Sequence, residues 1–362
     1  MSPIGIDIGH SGVRAVQLAR DGDEFYLHSA TRAERAASPA AEPEPGDNDK
    51  QIAGMIRSCL SNADCRGRTA VTSLSPPDVE FHSLELPKAE PAELAAVIEF
   101  EVKRLFTHRS DLLETGHWML PLSRGSAPNA IGAVAATDKV LRAVQACRCS
   151  GLMCLGVDTS ATTLSRLGSI LGAWTEEQIW GVLDVSSRQA RLALCLTDVP
   201  VLVRTVGVGG DVWTERIAEA LGTSARTAEV QKRDYGIALR GRGIRAEAPL
   251  PPTSELASVL LGILRSDLND LAAEVKRSYE YVLSCYTGCR AADLILVGGG
   301  AALRNLPEYL SSALAIPVCR ASEYLDRSSC RLRYASGRSG IFETVALAIG
   351  LALGGYAADG RN

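Results

Sequence analysis

Three short segments of this chain place residues that handle phosphate at the end of an apolar run. Asp7-Ile8-Gly9-His10-Ser11-Gly12 closes the run Ile4–Ile8. A carboxylate at the end of a buried strand can hold Mg²⁺, usually through water, and small residues behind it let backbone N–H groups approach a phosphate. The same residues also suit an ordinary hairpin turn. Asp184-Val185-Ser186-Ser187 follows Ile179–Asp184 in the same way. Two such turns facing each other can clamp one polyphosphate. Gly298-Gly299-Gly300-Ala301 follows the apolar Asp293–Val297 and precedes a helical stretch, a place where backbone comes close to a nucleotide at a helix N-terminus. A glycine triplet alone specifies little; as the third member of an ordered set it carries more.

The elements that must position these segments repeat. Ile4–Ile8, Val13–Ala19 and Phe25–Thr31 read as a β-meander, the last after the turn Asp21-Gly22-Asp23. Ile179–Asp184, Ala190–Thr197 and Pro200–Val206 read as a second. With Asp7 laid over Asp184 (184 − 7 = 177), Ile6/Leu183, Ile8/Val185, Ser11/Arg188, Val13/Ala190, Arg14/Arg191, Val16/Ala193 and Leu18/Cys195 coincide. Each meander is followed by further strands and helices, so the pattern predicts a duplicated α/β fold with a cleft between halves. Helices are expected over Lys50–Leu60, Pro91–Phe106, from a cap at Asp138 toward Ser150, and over Ser160–Leu171, Val212–Leu221, Ser224–Tyr235, Glu255–Thr287 and Phe342–Leu353. Further strands are expected over Thr69–Ser73, Val79–Leu86, Ala130–Ala136 and Met153–Val157, and loops over Ala36–Asp49 and Ala246–Thr253.

Composition removes several classes of function. At 362 residues the chain is too long for one ordinary core, given ~150 residues per domain. Apolar residues at 46% exclude a disordered chain, and a net charge of −4 argues against a duplex nucleic-acid binder. With 4 Trp, 9 Tyr and 5 Phe, base-stacking platforms are not expected either. No run reaches the ~20 apolar residues of a membrane span, and the start lacks a basic, then apolar, leader, so a cytoplasmic protein is expected. None of the ten cysteines forms C-x-x-C. Cys147, Cys149 and Cys154 cluster without a nearby histidine, which favours reduced, apolar-behaving thiols over a zinc site.

Taken in order, these segments resemble the actin-like ATPase superfamily, and within it the PilM family of type IV pilus assembly proteins. The likeness is carried by IGIDIGHSGVRAVQLAR, VRTVGVGGDVWTERIAEALG, RTAEVQKRDYG and LILVGGGAALRNLPEYL, among other stretches spread over nearly the whole chain. It implies two RNase H-like domains around a central nucleotide cleft, with a small inserted subdomain. The expected division is 1–87 and 151–178 for the first domain, 88–150 for the insert and 179–340 for the second, with a C-terminal helix, 341–356, packing back on the first. It implies ATP and Mg²⁺ as ligands. Asp7, Gly9, His10, Ser11, Asp184, Ser186 and Ser187 would surround the phosphates, with Asp7 and Asp184 on the metal through water. Gly209 and Gly210 would lie beneath the nucleotide, and Gly298, Gly299, Gly300 and Ala301 would cover the α-phosphate and sugar. Glu229, Lys232 and Arg233 match the superfamily's E-x-x-K-R grip on ribose and adenine, or else form a solvated helical face.

Departures from the family pattern lie in the turns. His10, Ser186 and Ala190 stand where Ser or Thr, Gly, and Thr are usual; His10 either donates to a phosphate or caps its turn. No residue stands out as a general base, so the catalytic residues are unassigned and hydrolysis is expected to be slow or absent. The implied partner is the N-terminal cytosolic tail of a membrane-anchored PilN-like protein, docked between the first subdomain and the insert and holding the chain near the inner membrane. A small-molecule kinase of the same superfamily is the alternative.

Overall fold

The computed structural model describes residues 1–35, 47–86, 96–98, 100–101, 112–121, 128–239, 252–334 and 341–358. Its first sheet starts with β1 (Ile4–Gly9), β2 (Gly12–Asp21) and β3 (Glu24–Glu34), an antiparallel meander. β4 (Thr69–Ser73) pairs parallel to β1, and β8 (Met153–Asp158) parallel to β4. The second sheet repeats this plan. β9 (Gln178–Val185), β10 (Ala190–Leu196) and β11 (Val199–Val206) form the meander, β12 (Arg290–Val297) runs parallel to β9, and β13 (Val318–Arg320) parallel to β12. The strand orders β3-β2-β1-β4-β8 and β11-β10-β9-β12-β13 match position for position. The first sheet gains one strand, β14 (Leu332–Arg333), from the far end of the chain.

Register follows the sequence repeat. Asp7 lies opposite Arg14 and Asp184 opposite Arg191. Directly opposed residues share a face of the sheet, so each meander sets an arginine beside its aspartate.

Helices from each half are exchanged. α3 (Ser160–Leu171) is N-capped by Thr159, whose hydroxyl accepts from Thr162 N, and packs on β9, β10 and β11 of the second sheet. α8 (Phe342–Ala358) returns to lie on β1, β2 and β4 and against α3. Because α8 meets partners on several sides, Phe342, Val345, Ala348, Ile349, Leu351 and Ala352 are all fully buried. Gly5 and Gly350 permit the closest contacts: a Cβ would strike the Ala348 carbonyl at the first and the Thr163 carbonyl at the second.

Elsewhere α1 (Asp47–Ser61) starts within the stretch expected to be loop, whose residues 36–46 lie outside the described ones. The helix expected over Pro91–Phe106 also falls largely outside them, although 96–98 are helical. α2 (Thr137–Cys149) starts after Ala136, so Asp138 sits in its first turn and is not its cap. In the second half follow α4 (Gly210–Leu221), α5 (Ala225–Tyr235), α6 (Pro252–Cys285) and α7 (Leu306–Leu314).

The small sheet is antiparallel, in the order β5 (Glu80–Leu84), β7 (Ala130–Ala136), β6 (Leu113–Met119). Its bounds differ from the insert expected at 88–150. β5 precedes Lys88, and α2 packs on α1, β4 and β8 of the first half as well as on β6 and β7 of the small sheet. Trp118 ties the small sheet to the second half by donating Nε1–H to Pro200 O at 2.8 Å. Among the described residues no helix is long and apolar enough to cross a membrane, and no group of His, Cys, Asp and Glu could hold a metal. All ten cysteines are unbridged, Cys147 being buried and Cys149 exposed.

Candidate functional site

The two aspartate turns face each other. Asp7, at the end of β1, is 8% exposed; burial pushes its carboxyl above the usual range, Arg14 and Arg191 oppose that, and the charge of Asp184 adds to it. Groups of the second meander therefore act on a side chain of the first. Arg14 Nη1 stands 3.6 Å from Asp7 Oδ2, too far for a hydrogen bond, while its Nη2 donates to Ser11 Oγ at 2.6 Å. The pair across the cleft is tighter. Arg191 Nη2 lies 2.7 Å from Asp184 Oδ2 and donates to Ser186 Oγ at 2.9 Å. Ser186 Oγ lies 3.0 Å from each oxygen of Asp184, which is 1% exposed. The extra Cβ and hydroxyl at Ser186 thus turn back onto its own aspartate. His10 is exposed at the tip of its turn, and Ser187 is half-buried.

Glycines bring the other segments onto the second turn. α4 begins without a side-chain cap; its first N–H groups are met by the turn itself, Gly210 N donating to Ser186 O (2.9 Å) and Asp211 N to Ser187 O (2.7 Å). A Cβ on Gly209 would strike the Ser187 carbonyl. One on Gly210 would stand 3.7 Å from Lys232 Nζ, 3.8 Å from Ser186 O and 3.9 Å from Gly300 Cα, so four of the expected segments meet there. Gly298 has φ +86°, and a Cβ on it would collide with Asp184 Oδ1. Gly300 leans on Val185 and Ala301 is buried, while Gly299 is exposed with open space where a side chain would be.

The charged helix α5 behaves differently at each of its three residues. Arg233 is exposed and pairs with Glu229 Oε1 at 2.6 Å. Lys232 is only 6% exposed and turns inward. Its ammonium donates to Gly210 O (2.6 Å) and Thr214 Oγ1 (2.7 Å) and meets Glu229 Oε2 at 2.6 Å, which uses all three donors. Thr214 in turn donates to Glu229 Oε2 at 2.6 Å. Burial depresses the pKa of Lys232 although Glu229 counteracts it. At Glu229 burial raises the pKa, but hydrogen bonds from Lys232, Thr214 and Arg233 outweigh it and the net shift is downward. A solvated face describes Arg233; Lys232 is a strut between α5 and the start of α4.

Sequence reading passed over three residues at this site: Arg14, Arg191 and Thr214. The first two had a signal, since each arginine stands seven places after its aspartate, at equivalent points of the repeat. Their presence decides what the aspartates can hold. Mg²⁺ wants oxygen ligands in octahedral array, commonly one or two carboxylates and several waters. Asp184 spends its carboxylate on a guanidinium and a hydroxyl. A dication about 4 Å from such a guanidinium would be repelled by ~8 kcal/mol at an effective dielectric of about 20. Asp184 as arranged here does not fit a directly bound Mg²⁺, and Asp7 has Arg14 3.6 Å away and the charge of Arg191 acting on it, so a dication beside either carboxylate meets a guanidinium. The same neighbourhood does fit an anion. Arg191 is 9% exposed, and its Nε has no hydrogen-bond partner.

Solved structures share this architecture. A PilM–PilN type IV pilus biogenesis complex aligns over 98% of this chain and 98% of its own, with TM-score 0.75 and 22% identity. The ethanolamine utilization protein EutJ of Carboxydothermus hydrogenoformans aligns over 98% and 90% (TM-score 0.53, 13% identity). MreB5 of Spiroplasma citri, solved with AMPPNP, aligns over 99% and 97% (TM-score 0.51, 13% identity). At such identities the likeness establishes the fold, which is actin-like. A search of curated proteins by sequence finds no match. The family model for the type IV pilus assembly protein PilM matches residues 5–240, from β1 and its aspartate turn through the glycine segment and the charged helix, and on that match this chain belongs to the PilM family of type IV pilus assembly proteins.

Proposed function

We propose that this protein is a nucleotide-binding, actin-like scaffold of type IV pilus assembly that docks the N-terminal cytosolic tail of a PilN-like membrane protein. Family membership over residues 5–240 is the observation that carries the reading. The similar PilM was solved in complex with PilN, and MreB5 with AMPPNP. In this chain Gly209, Gly210, Gly298 and Gly299, the two turns and their arginines would receive the nucleotide. A kinase is not favoured: the family match is to pilus assembly proteins, and the sequence offers no further aspartate with a sugar pocket around it. Docked to its partner, the protein would work at the cytoplasmic face of the inner membrane.

The small sheet offers two seams for an extended tail. Toward the first sheet, where sequence reasoning put the groove, Leu74, Val79, Ala133 and Ala135 pack with Val140, Ala143 and Val157, and most of the expected wall, Pro91–Phe106, lies outside the described residues. Toward the second half a cavity remains, bordered by Phe81–Ser83 of β5, Val201–Arg204 of β11 and Tyr281 of α6. β5 and β11 are both edge strands of their sheets. Edge strands give an incoming peptide backbone hydrogen bonds, and alternate side chains give it specificity. Titration with a fluorescent synthetic PilN-type tail tests this. Tyr281→Ala and Val203→Asp, both at exposed or half-exposed positions, should each weaken the tail at least tenfold with the unfolding midpoint kept. Unchanged affinity in both variants removes the cavity as the docking site.

A further inference from the structure

The two arginines in the aspartate turns have a charge and a placement that the expected metal site lacks. Each sits on the strand opposite its aspartate, Arg14 on β2 and Arg191 on β10, and the two turns are close enough for Arg191 to act on Asp7. Neither is fully spent. Arg14 lies 3.6 Å from its carboxylate and is held chiefly by Ser11 Oγ and, at 3.3 Å, by Gly12 O. Arg191, nine-tenths buried, leaves Nε–H without an acceptor. A buried donor in that condition is costly, and an anionic oxygen in the cleft would relieve it. Guanidinium groups suit phosphate oxygens by their planar, multiple donors and they never lose their charge at working pH.

Resting on the nucleotide-binding reading above, we infer that Arg14 and Arg191 take the place of the divalent cation, so that this chain binds a nucleoside triphosphate without Mg²⁺. On this view the aspartates are not metal ligands. They hold the arginines extended along the turns, one weakly and one firmly, until phosphate oxygens compete for them. Arg14 is then the mobile clamp and Arg191 the fixed one.

Isothermal titration of the full chain with ATP, in 5 mM Mg²⁺ and in excess EDTA (on the order of millimolar chelator, enough to strip divalent ions), decides this. The wild-type dissociation constant should differ less than about threefold between the two buffers, where tenfold is about 1.4 kcal/mol. Arg14→Met and Arg191→Met should each weaken ATP at least tenfold in EDTA, and Arg191→Lys should recover part of that loss. Arg191→Thr, which frees Asp184, should create a Mg²⁺ dependence the wild type lacks. The Arg14 side chain is 19% exposed and makes no buried ion-pair hydrogen bond, so Arg14→Met provides the milder variant should the more buried Arg191 prove intolerant. ATP bound tightly in Mg²⁺ and at least tenfold more weakly in EDTA overturns the inference and leaves nucleotide binding intact. Undiminished affinity in both methionine variants overturns it too. Absence of ATP binding in either buffer overturns the nucleotide-binding reading, and the inference with it.

Discussion

Truncating Lys232 to alanine removes the ammonium that joins α5 to the start of α4. Three contacts disappear together: to Gly210 O, to Thr214 Oγ1 and to Glu229 Oε2. Breaking a buried ion pair by deleting one partner costs ~3–5 kcal/mol, because a buried charge is left uncompensated. Here the stranded charge is partly relieved. The Glu229 side chain is 31% exposed and keeps Arg233 and Thr214. That brings the expectation to about 2 kcal/mol, with Gly210 O left to find water. For a unit of about 200 residues, ~2–4 °C per kcal/mol converts this to a drop in Tm of roughly 4–8 °C. Arg233→Ala is the paired control; its side chain is 68% exposed, and a surface pair is worth only ~0.3–0.5 kcal/mol. Thermal unfolding of the ligand-free variants, read by circular dichroism, gives both numbers. A Lys232→Ala protein that melts with the wild type, yet binds nucleotide at least tenfold more weakly, would refute the strut and restore Lys232 as a ligand-facing group.

Asp7→Asn should raise stability at neutral pH. Its folded carboxyl titrates above the unfolded value of 3.8, so the native state binds the extra proton and wild-type stability falls as pH rises from about 4 through that higher pKa. The variant's advantage should be absent below about pH 4 and grow as pH rises above it, as denaturant midpoints from about pH 4 to 8 will register. Gly5→Ala drives a methyl into the α8 backbone at Ala348 and should cost ~1–3 kcal/mol, whereas Gly116→Ala, with nothing within 4 Å, should leave urea midpoints unmoved. Gly298→Ala meets Asp184 Oδ1 from a backbone at φ +86° and should lower both Tm and nucleotide affinity; a melting point equal to wild type would show that the turn relaxes.

Period-2 alternation and turn chemistry were local, and so the sequence alone determined both meanders, their 177-residue offset and the placing of Asp7 and Asp184 at strand ends. It contained the arginine pairs as well, because the register of a tight hairpin follows from its turn: Gly9 pairs with Gly12, and Asp7 must then face Arg14. What it could not set was anything decided by packing between distant segments. Apolar spacing marks α8 as a helix and the family resemblance packs it back on the first domain, but its seat against both β1 and α3 is set by close contacts, Gly5 against Ala348 O and Gly350 against Thr163 O. β6, with its exposed middle, has no half-buried alternation to announce it and becomes a strand by pairing with β7. The burial of Lys232 depends on where the start of α4 comes to rest, some twenty residues earlier in the chain. Helical spacing groups Glu229, Lys232 and Arg233 on one face, but the tertiary fold turns one of them inward and leaves another in water, because only there do the carbonyl of Gly210 and the hydroxyl of Thr214 offer a buried ammonium its partners.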